Sequence, residues 1–281
     1  MEEIEALKAI SRALADAARD LSETSDTARL DAELLMAEAL HIDRDRLILS
    51  PPDRAVPKRF WNMVKRRTAG EPIAYITGRR AFWNIDLHVG PGVLVPRPDS
   101  EVLIVSAIEH FQGRDAPKRI LDLGTGPGTL LLAALDIWPE ATGLGIDVSR
   151  RAMSYAAANA RRLGIDPRVK LQIGDWAEGV QESFDLILCN PPYIAEGAEL
   201  GPGVREYEPD EALFAGQYGL DAYRALAPQL PRLLSKGGLA AVEIGAGQAE
   251  AVKDLLARDG LKAEVAKDLG DRPRAVLLTC I

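Results

Sequence analysis

The apolar stretch Arg119-Ile120-Leu121-Asp122-Leu123 passes directly into Gly124-Thr125-Gly126-Pro127-Gly128 and then into an apolar segment from Thr129 to Leu135. A strand that turns through glycines into a helix opens a parallel α/β sheet, because a parallel neighbour can be reached only by a crossover. The rest of the chain keeps that rhythm. Strands are predicted at 143–147, 169–173 and 184–189, with an Ala-rich helix from Arg151 to Leu163. After them come a helix around Tyr223 to Leu234, a turn at Lys236-Gly237-Gly238, a strand from Leu239 to Ile244 and a helix around Ala249 to Ala257. Terminal strands are predicted near 263–265 and 275–279. The alternation predicts a doubly wound, Rossmann-like α/β domain over residues 99–281.

The first 74 residues read differently, as a helical bundle. Ile4, Leu7, Ile10, Leu14 and Leu21 form one apolar stripe, and Leu30, Leu34, Ala37 and Leu40 form a second behind a capping cluster at Ser22 to Asp26. A third helix carries Phe60, Val64 and Arg67 before Gly70 and Pro72 stop it. From Tyr75 the pattern alternates. Ile85, Leu87 and Val89, a turn at Gly90-Pro91-Gly92, and Val93-Leu94-Val95 predict a β-hairpin within a linker over residues 75–98. A helix follows with Val102, Val105 and Ile108 on its buried side. Arg97, stiffened between Pro96 and Pro98 where a cleft is expected, is a candidate substrate-binding residue.

Glycines between a strand and a helix let a ligand approach the backbone. The spacing Gly124-x-Gly126-x-Gly128 is one residue short of a dinucleotide fingerprint, and Asp122 places an acid where pyrophosphate would be repelled. An amine or a sulfonium would be attracted there, and S-adenosylmethionine carries both and no phosphate. Asp147 closes the second strand, 19 residues after Gly128, where a carboxylate can accept both ribose hydroxyls. Taken alone, Asp147 could equally cap the helix that follows it. Asp175 is placed to accept from the adenine amine, and Trp176 to cover the ring. The cofactor-binding candidates are thus Asp122, Gly124, Thr125, Gly126, Pro127, Gly128, Asp147, Asp175, Trp176 and Asn190.

The strand at 184–189 ends in Asn190-Pro191-Pro192-Tyr193, about 65 residues beyond the glycine loop. Ligands of open α/β sheets bind outside the carboxyl ends of the strands. There the Asn190 oxygen and a neighbouring main-chain carbonyl, that of Pro191, can accept the two hydrogens of a planar NH2 group. Pro191 and Pro192 fix the backbone, and Tyr193 can lie over the group. The four residues alone would also serve as a turn. With the glycine loop upstream they point to an amide or exocyclic amine as the reacting group, with Asn190, Pro191 and Tyr193 as catalytic candidates.

Together the two stretches resemble the amino-methylating class I methyltransferases. Three more narrow the resemblance: Gly70-Glu71-Pro72-x-x-Tyr75-Ile76-Thr77-Gly78, Pro96-Arg97-Pro98-Asp99-Ser100-Glu101 and Glu208-Pro209-x-x-Ala212-Leu213. With them the chain is similar, over nearly its whole length, to the peptide chain release factor glutamine methyltransferases. The resemblance implies methyl transfer from S-adenosylmethionine to the glutamine side-chain amide in the Gly-Gly-Gln loop of bacterial-type release factors. It also implies that Asn190 to Tyr193 hold that amide. Where the family often has Ser or Thr, this chain has Pro127. The segment Gly270-Asp271-Arg272-Pro273-Arg274 is more basic than the family's.

Composition separates this reading from its alternatives. The chain has 34 Lys and Arg against 42 Asp and Glu, a net charge of −8. Residues 1–98 hold 15 of each, so the excess lies in the catalytic half, with 19 against 27. An adenine-directed nucleic-acid methyltransferase is the alternative, but such a binder is usually basic. Between positions 54 and 80 eight basic residues face one acid, Glu71, a local charge of +7 that offers a docking surface for a large partner or a solvated helix face. Cys189 and Cys280 and the scattered His41, His88 and His110 suggest no metal site. No apolar run reaches membrane-spanning length, and the acidic start is unlike a signal peptide. A cytoplasmic monomer is expected, with the release factor as partner and without direct nucleic-acid or membrane contact.

Overall fold

The computed structural model describes residues 2–268 and 270–281, and side chains from residue 9 onward. In chain order it contains α1 (Glu2–Leu21), α2 (Ala28–Leu40), α3 (Arg44–Leu49), α4 (Lys58–Thr68), α5 (Ile73–Thr77), β1 (Arg79–Phe82), β2 (Ile85–His88) and α6 (Glu101–Phe111). Then come β3 (Arg119–Leu123), α7 (Thr129–Ile137), β4 (Thr142–Asp147), α8 (Arg150–Arg162), β5 (Val169–Ile173), β6 (Phe184–Cys189) and α9 (Val204–Tyr207). The chain ends with α10 (Asp221–Leu226), α11 (Leu230–Leu233), β7 (Leu234–Glu243), α12 (Ala249–Leu256), β8 (Leu261–Lys267) and β9 (Pro273–Cys280). Two compact units result, Met1–Arg79 with Leu200–Tyr207, and Arg80–Glu199 with Glu208–Ile281. No helix of the described residues is long and apolar enough to cross a membrane.

The first unit is helical around its own apolar core. Ile10, Leu14 and Leu21 of α1 are buried with Leu35, Met36, Phe60, Val64 and Ile76. Ile4 and Leu7 lie outside the residues whose side chains are described. The α2 stripe differs from the expectation, since Leu30 is exposed and Leu34 only half-buried. Its buried face instead includes Asp31 and Glu33, each held by arginines: Asp31 by Arg67, and Glu33 by Arg29 and Arg44. Buried carboxylates are tolerated when paired in this way. The cluster expected to cap α2 is used differently too. The hydroxyls of Ser25 and Thr27 donate to Asp31 side-chain oxygens, and no side chain at the N-cap accepts from the free N–H groups of the helix.

In the second unit the expected hairpin partner is replaced. The β2 strand pairs with β1 through a turn at Trp83-Asn84, not with 93–95. The Asn159 side chain takes both backbone groups of His88, accepting from its N–H at 2.7 Å and donating to its carbonyl at 3.0 Å. That amide occupies the place of a strand, and Val93 and Val95 are buried without joining one. In α6 the buried side is Val102, Leu103, Ile104 and Ala107, while Val105 is exposed. The expected turn at Lys236 to Gly238 lies inside β7, as a bulge between the pairs Phe184–Leu234 and Leu186–Leu239. The predicted helix from Tyr223 to Leu234 is interrupted between α10 and α11, near Pro228 and Pro231.

Seven strands form the sheet in the order β5-β4-β3-β6-β7-β9-β8. From β5 to β7 neighbours are parallel, and β9 runs antiparallel to both β7 and β8. The chain steps outward from β3 to β4 and β5, then returns to the other side of β3 with β6. That reversal makes the β3–β6 boundary the switch point where such sheets bind ligands. Leu123 pairs with Cys189, so the glycine loop and Asn190 leave the sheet side by side.

Candidate active site

The glycine loop is built around carboxylates. Gly124 and Thr125 donate their N–H groups to the Ile146 carbonyl, Gly126 donates to Asp147 Oδ2, and Gly128 to the Thr125 carbonyl. Pro127 has no N–H. Every amide from 124 to 128 that could cradle a phosphate is therefore already satisfied. Asp147 accepts from Gly126 at 2.8 Å and from Ser149 at 2.8 Å, which partly offsets the upward push of burial on its pKa. Each of its oxygens keeps a lone pair for a hydroxyl.

Asp122 is 1% exposed. Its Oδ2 accepts from Thr125 Oγ1 at 2.7 Å and from the Leu131 N–H at 3.1 Å, whereas Oδ1 is buried without a partner among the described residues. Burial pushes its pKa up to about 7 despite those two donors. Trp176 has a left-handed backbone, φ 49°, rare for a bulky residue. Its ring lies 3.9 Å from where a Cβ on Gly124 would stand, an ordinary van der Waals distance, so it is the backbone of Gly124, at φ 73°, that calls for glycine there. Gly126, at φ 57°, has open space where its Cβ would be.

One cleft joins most of these groups. Asp122, Gly124, Thr125, Gly126 and Pro127 line it, as do Asp147, Asp175 and Trp176. Asn190, Pro192 and Arg97 complete the predicted set found there, together with Ser100 and Glu211. Gly128, Pro191 and Tyr193 are not on its wall. Arg97, a basic residue in the lining, is tied to the carboxylate of Glu208. Acids facing the cavity, a carboxyl oxygen without a donor, and a glycine loop with no free amides fit S-adenosylmethionine, a cationic nucleoside without phosphate. They do not fit a dinucleotide.

Asn190 donates from Nδ2 to Ser100 Oγ at 3.0 Å, and among the described residues nothing donates to its Oδ1. Tyr193 lies away from the cleft because its hydroxyl donates to Glu243 Oε1 at 3.2 Å and its carbonyl accepts from Gln248 Nε2 at 3.0 Å. Gly219 is needed at this point. Its φ is 67°, and a Cβ there would come within 2.2 Å of the Tyr193 carbonyl oxygen.

Several site residues carried no role in the sequence. Ser100 and Glu208 stand in the stretches Pro96 to Glu101 and Glu208-Pro209, and both are buried. Glu208 accepts from Arg97 and from the Val95 N–H at 2.9 Å, which ties those two stretches together. Glu243 is fully buried at the end of β7, and Arg274, in the basic tail, pairs with Asp99 at 3.0 Å and Asp268 at 3.5 Å. Asn159 sits in an Ala-rich helix with nothing in its pattern to mark it, yet it also donates to the Pro127 carbonyl at 2.9 Å.

Comparison with known proteins agrees with this geometry. A family model described as "PrmC N-terminal domain" matches residues 12–78, and one described as "Methyltransferase domain" matches residues 114–267. The release factor glutamine methyltransferase of Rhodospirillum rubrum is 43% identical, across 89% of this chain and 78% of that protein. The protein of the same name from Caulobacter vibrioides is 40% identical, across 90% of this chain and 89% of its own length. A crystal structure of a methyltransferase from Pyrococcus furiosus shares the fold, with a TM-score of 0.52 at 20% identity, across 77% of this chain and 97% of that one. The chain belongs to the release factor glutamine methyltransferases and is an S-adenosylmethionine-dependent enzyme.

Proposed function

We propose that this enzyme methylates the side-chain amide nitrogen of the glutamine in the Gly-Gly-Gln motif of peptide chain release factors, with Asn190 holding the amide. The observation that carries the reading is the occupied Nδ2 of Asn190. Because Nδ2 is turned to Ser100, which takes one of its two hydrogens, Oδ1 is left as an acceptor, which an incoming NH2 group requires. The second acceptor in this reading is the carbonyl of Pro191, which is not itself on the wall of the cleft but lies between Asn190 and Pro192, both of which are. Asp122, Asp147, Asp175 and Trp176 hold the cofactor, and the N-terminal helices, residues 1–74, capture the factor. The protein then acts as a cytoplasmic monomer that touches a protein partner and not nucleic acid.

Bound S-adenosylmethionine supplies an electrophilic methyl group on sulfur. The chain's own task is to aim a weakly nucleophilic amide nitrogen at it, and such positioning can account for several powers of ten in rate. Asn190 Oδ1 and the Pro191 carbonyl accept the two amide hydrogens and orient the nitrogen. Positive charge then develops between two carbonyl dipoles, which favour the transition state over the neutral amide. The acidic N-methylated product loses its extra proton to water.

The test is methyl transfer from labelled S-adenosylmethionine to a purified release factor, beside its Gly-Gly-Gln Gln→Ala variant, a free peptide and DNA. Label only on the intact factor is expected. Asn190→Ala should lower kcat by on the order of 10² or more with little change in cofactor affinity. Label on DNA, or near wild-type turnover in that variant, would overturn the reading.

A further inference from the structure

An asparagine amide is nearly symmetric in shape, and turning it by half a revolution exchanges acceptor for donor. In the wrong orientation Asn190 would present its own NH2 to the NH2 of the substrate. Something must therefore set its direction. Its neighbour Ser100 Oγ accepts from Nδ2 at 3.0 Å, but a hydroxyl can donate as readily as it accepts. Ser100 is 2% exposed, so water does not decide the matter.

The group that can decide is Glu243. Its side chain is fully buried and packs behind Ser100 and Tyr193. Oε1 accepts from the Tyr193 hydroxyl, while Oε2 is buried without a hydrogen bond of ordinary geometry among the described residues. The Ser100 hydroxyl is close enough to that carboxyl to help hold its pKa down. Above its pKa of about 7 Glu243 is ionised, and an ionised carboxylate can only accept. With Ser100 directed to it, the serine oxygen has only lone pairs left for Asn190, and Asn190 must turn its NH2 toward Ser100.

We infer that Glu243 is a positioning residue for methyl transfer: through Ser100 it fixes which face of the Asn190 amide meets the substrate, and through Tyr193 it holds the segment that carries Asn190. The inference rests on the assignment of Asn190 as the amide holder. Arg274 belongs to the same arrangement. It precedes Ala275, the partner of Glu243 in the sheet, and pairs with Asp99, the neighbour of Ser100. The basic tail thereby places a positive charge beside the buried carboxylate. Burial pushes the Glu243 pKa up to about 7, while the hydroxyls of Ser100 and Tyr193 and the charge of Arg274 hold it down.

Glu243→Gln is close to isosteric but brings an NH2 that can donate to Ser100, which allows the serine to point at Asn190 and the amide to turn. Ser100→Ala removes the acceptor outright. Each variant should lower kcat roughly tenfold or more, with the KM for the release factor, the S-adenosylmethionine Kd by calorimetry and the melting temperature near wild type. In an Asn190→Ala background, measured by single-turnover label transfer, neither change should lower the rate further, because the group they orient is gone. Wild-type kcat in Glu243→Gln, within about twofold, would overturn the inference. So would a loss that persists in full without Asn190, since that marks a general structural role. If Asn190→Ala alone keeps wild-type turnover, the assignment of Asn190 fails first and the inference falls with it, on a separate measurement.

Discussion

Asp122 carries its charge with one oxygen paired and one bare, and that imbalance has a pH signature. Its pKa in the folded chain is about 7, against about 3.9 for an unfolded aspartate. Between those values the folded protein binds a proton that the unfolded chain does not. The stability it contributes is therefore complete below about pH 4 and lost as pH rises through 7. Relative to Asp122→Asn, the wild type should lose on the order of 2–4 kcal/mol between pH 4 and pH 8, read from denaturant melts of both proteins. A bound cation reverses the preference. S-adenosylmethionine affinity should fall as the pH drops through 7 in the wild type and stay weak and flat in Asp122→Asn; parallel melting curves would remove the buried charge from the account. At this scale the acids at the strand ends were legible, because charged residues inside apolar runs stand out. The unpaired Oδ1, the left-handed Trp176 and the direction of Tyr193 were not: the first two are details of local geometry that residue types do not encode, and the third is set by Glu243 and Gln248, about 50 residues on.

Strands β3, β5 and β6 fall where periodicity placed them: β3 and β6 as buried, mostly apolar runs of a parallel sheet, and β5, at the sheet edge, as an alternation of apolar and polar residues. Where the pattern misled, a single side chain or proline had intervened. Asn159 saturates His88, and prolines divide the helix before β7. Glu208 has a similar tie between segments. Its side chain is 1% exposed and accepts from the Val95 N–H and from Arg97, so it joins the chain entering α6 to the segment after α9. Glu208→Ala leaves a buried N–H and a partly buried guanidinium without an acceptor. That should cost about 2–4 kcal/mol and lower the melting temperature by roughly 5–10 °C, measured calorimetrically. Glu208→Gln keeps a neutral acceptor for Val95 and should lose less. Equal melting temperatures for the two variants would show that the charge paired with Arg97, not the backbone bond to Val95, holds these segments.

Across the whole chain, the formal charge overstates what a partner would meet. The excess of eight basic residues over one acid between 54 and 80 is largely consumed within the fold. Arg59 and Arg79 pair with Glu38, Arg66 with Glu71 and Arg67 with Asp31, while Arg80 donates to the Pro96 carbonyl. Arg54, Lys58 and Lys65 are exposed and have no carboxylate partner among the described residues. If the N-terminal helices capture the release factor by charge, these three residues carry the attraction. Reversing all three to Glu should raise the KM for the factor severalfold at low salt and leave S-adenosylmethionine affinity unchanged. The difference should shrink toward 1 M salt, where the screening length falls to about 3 Å. Arg67→Glu makes a different prediction, because it sets a second negative charge against the buried Asp31. Its effect should be a loss of stability on the order of 3 kcal/mol or more, with little dependence on salt. An unchanged KM at low salt in the triple variant would overturn capture by charge, since the remaining arginines of the segment are already engaged.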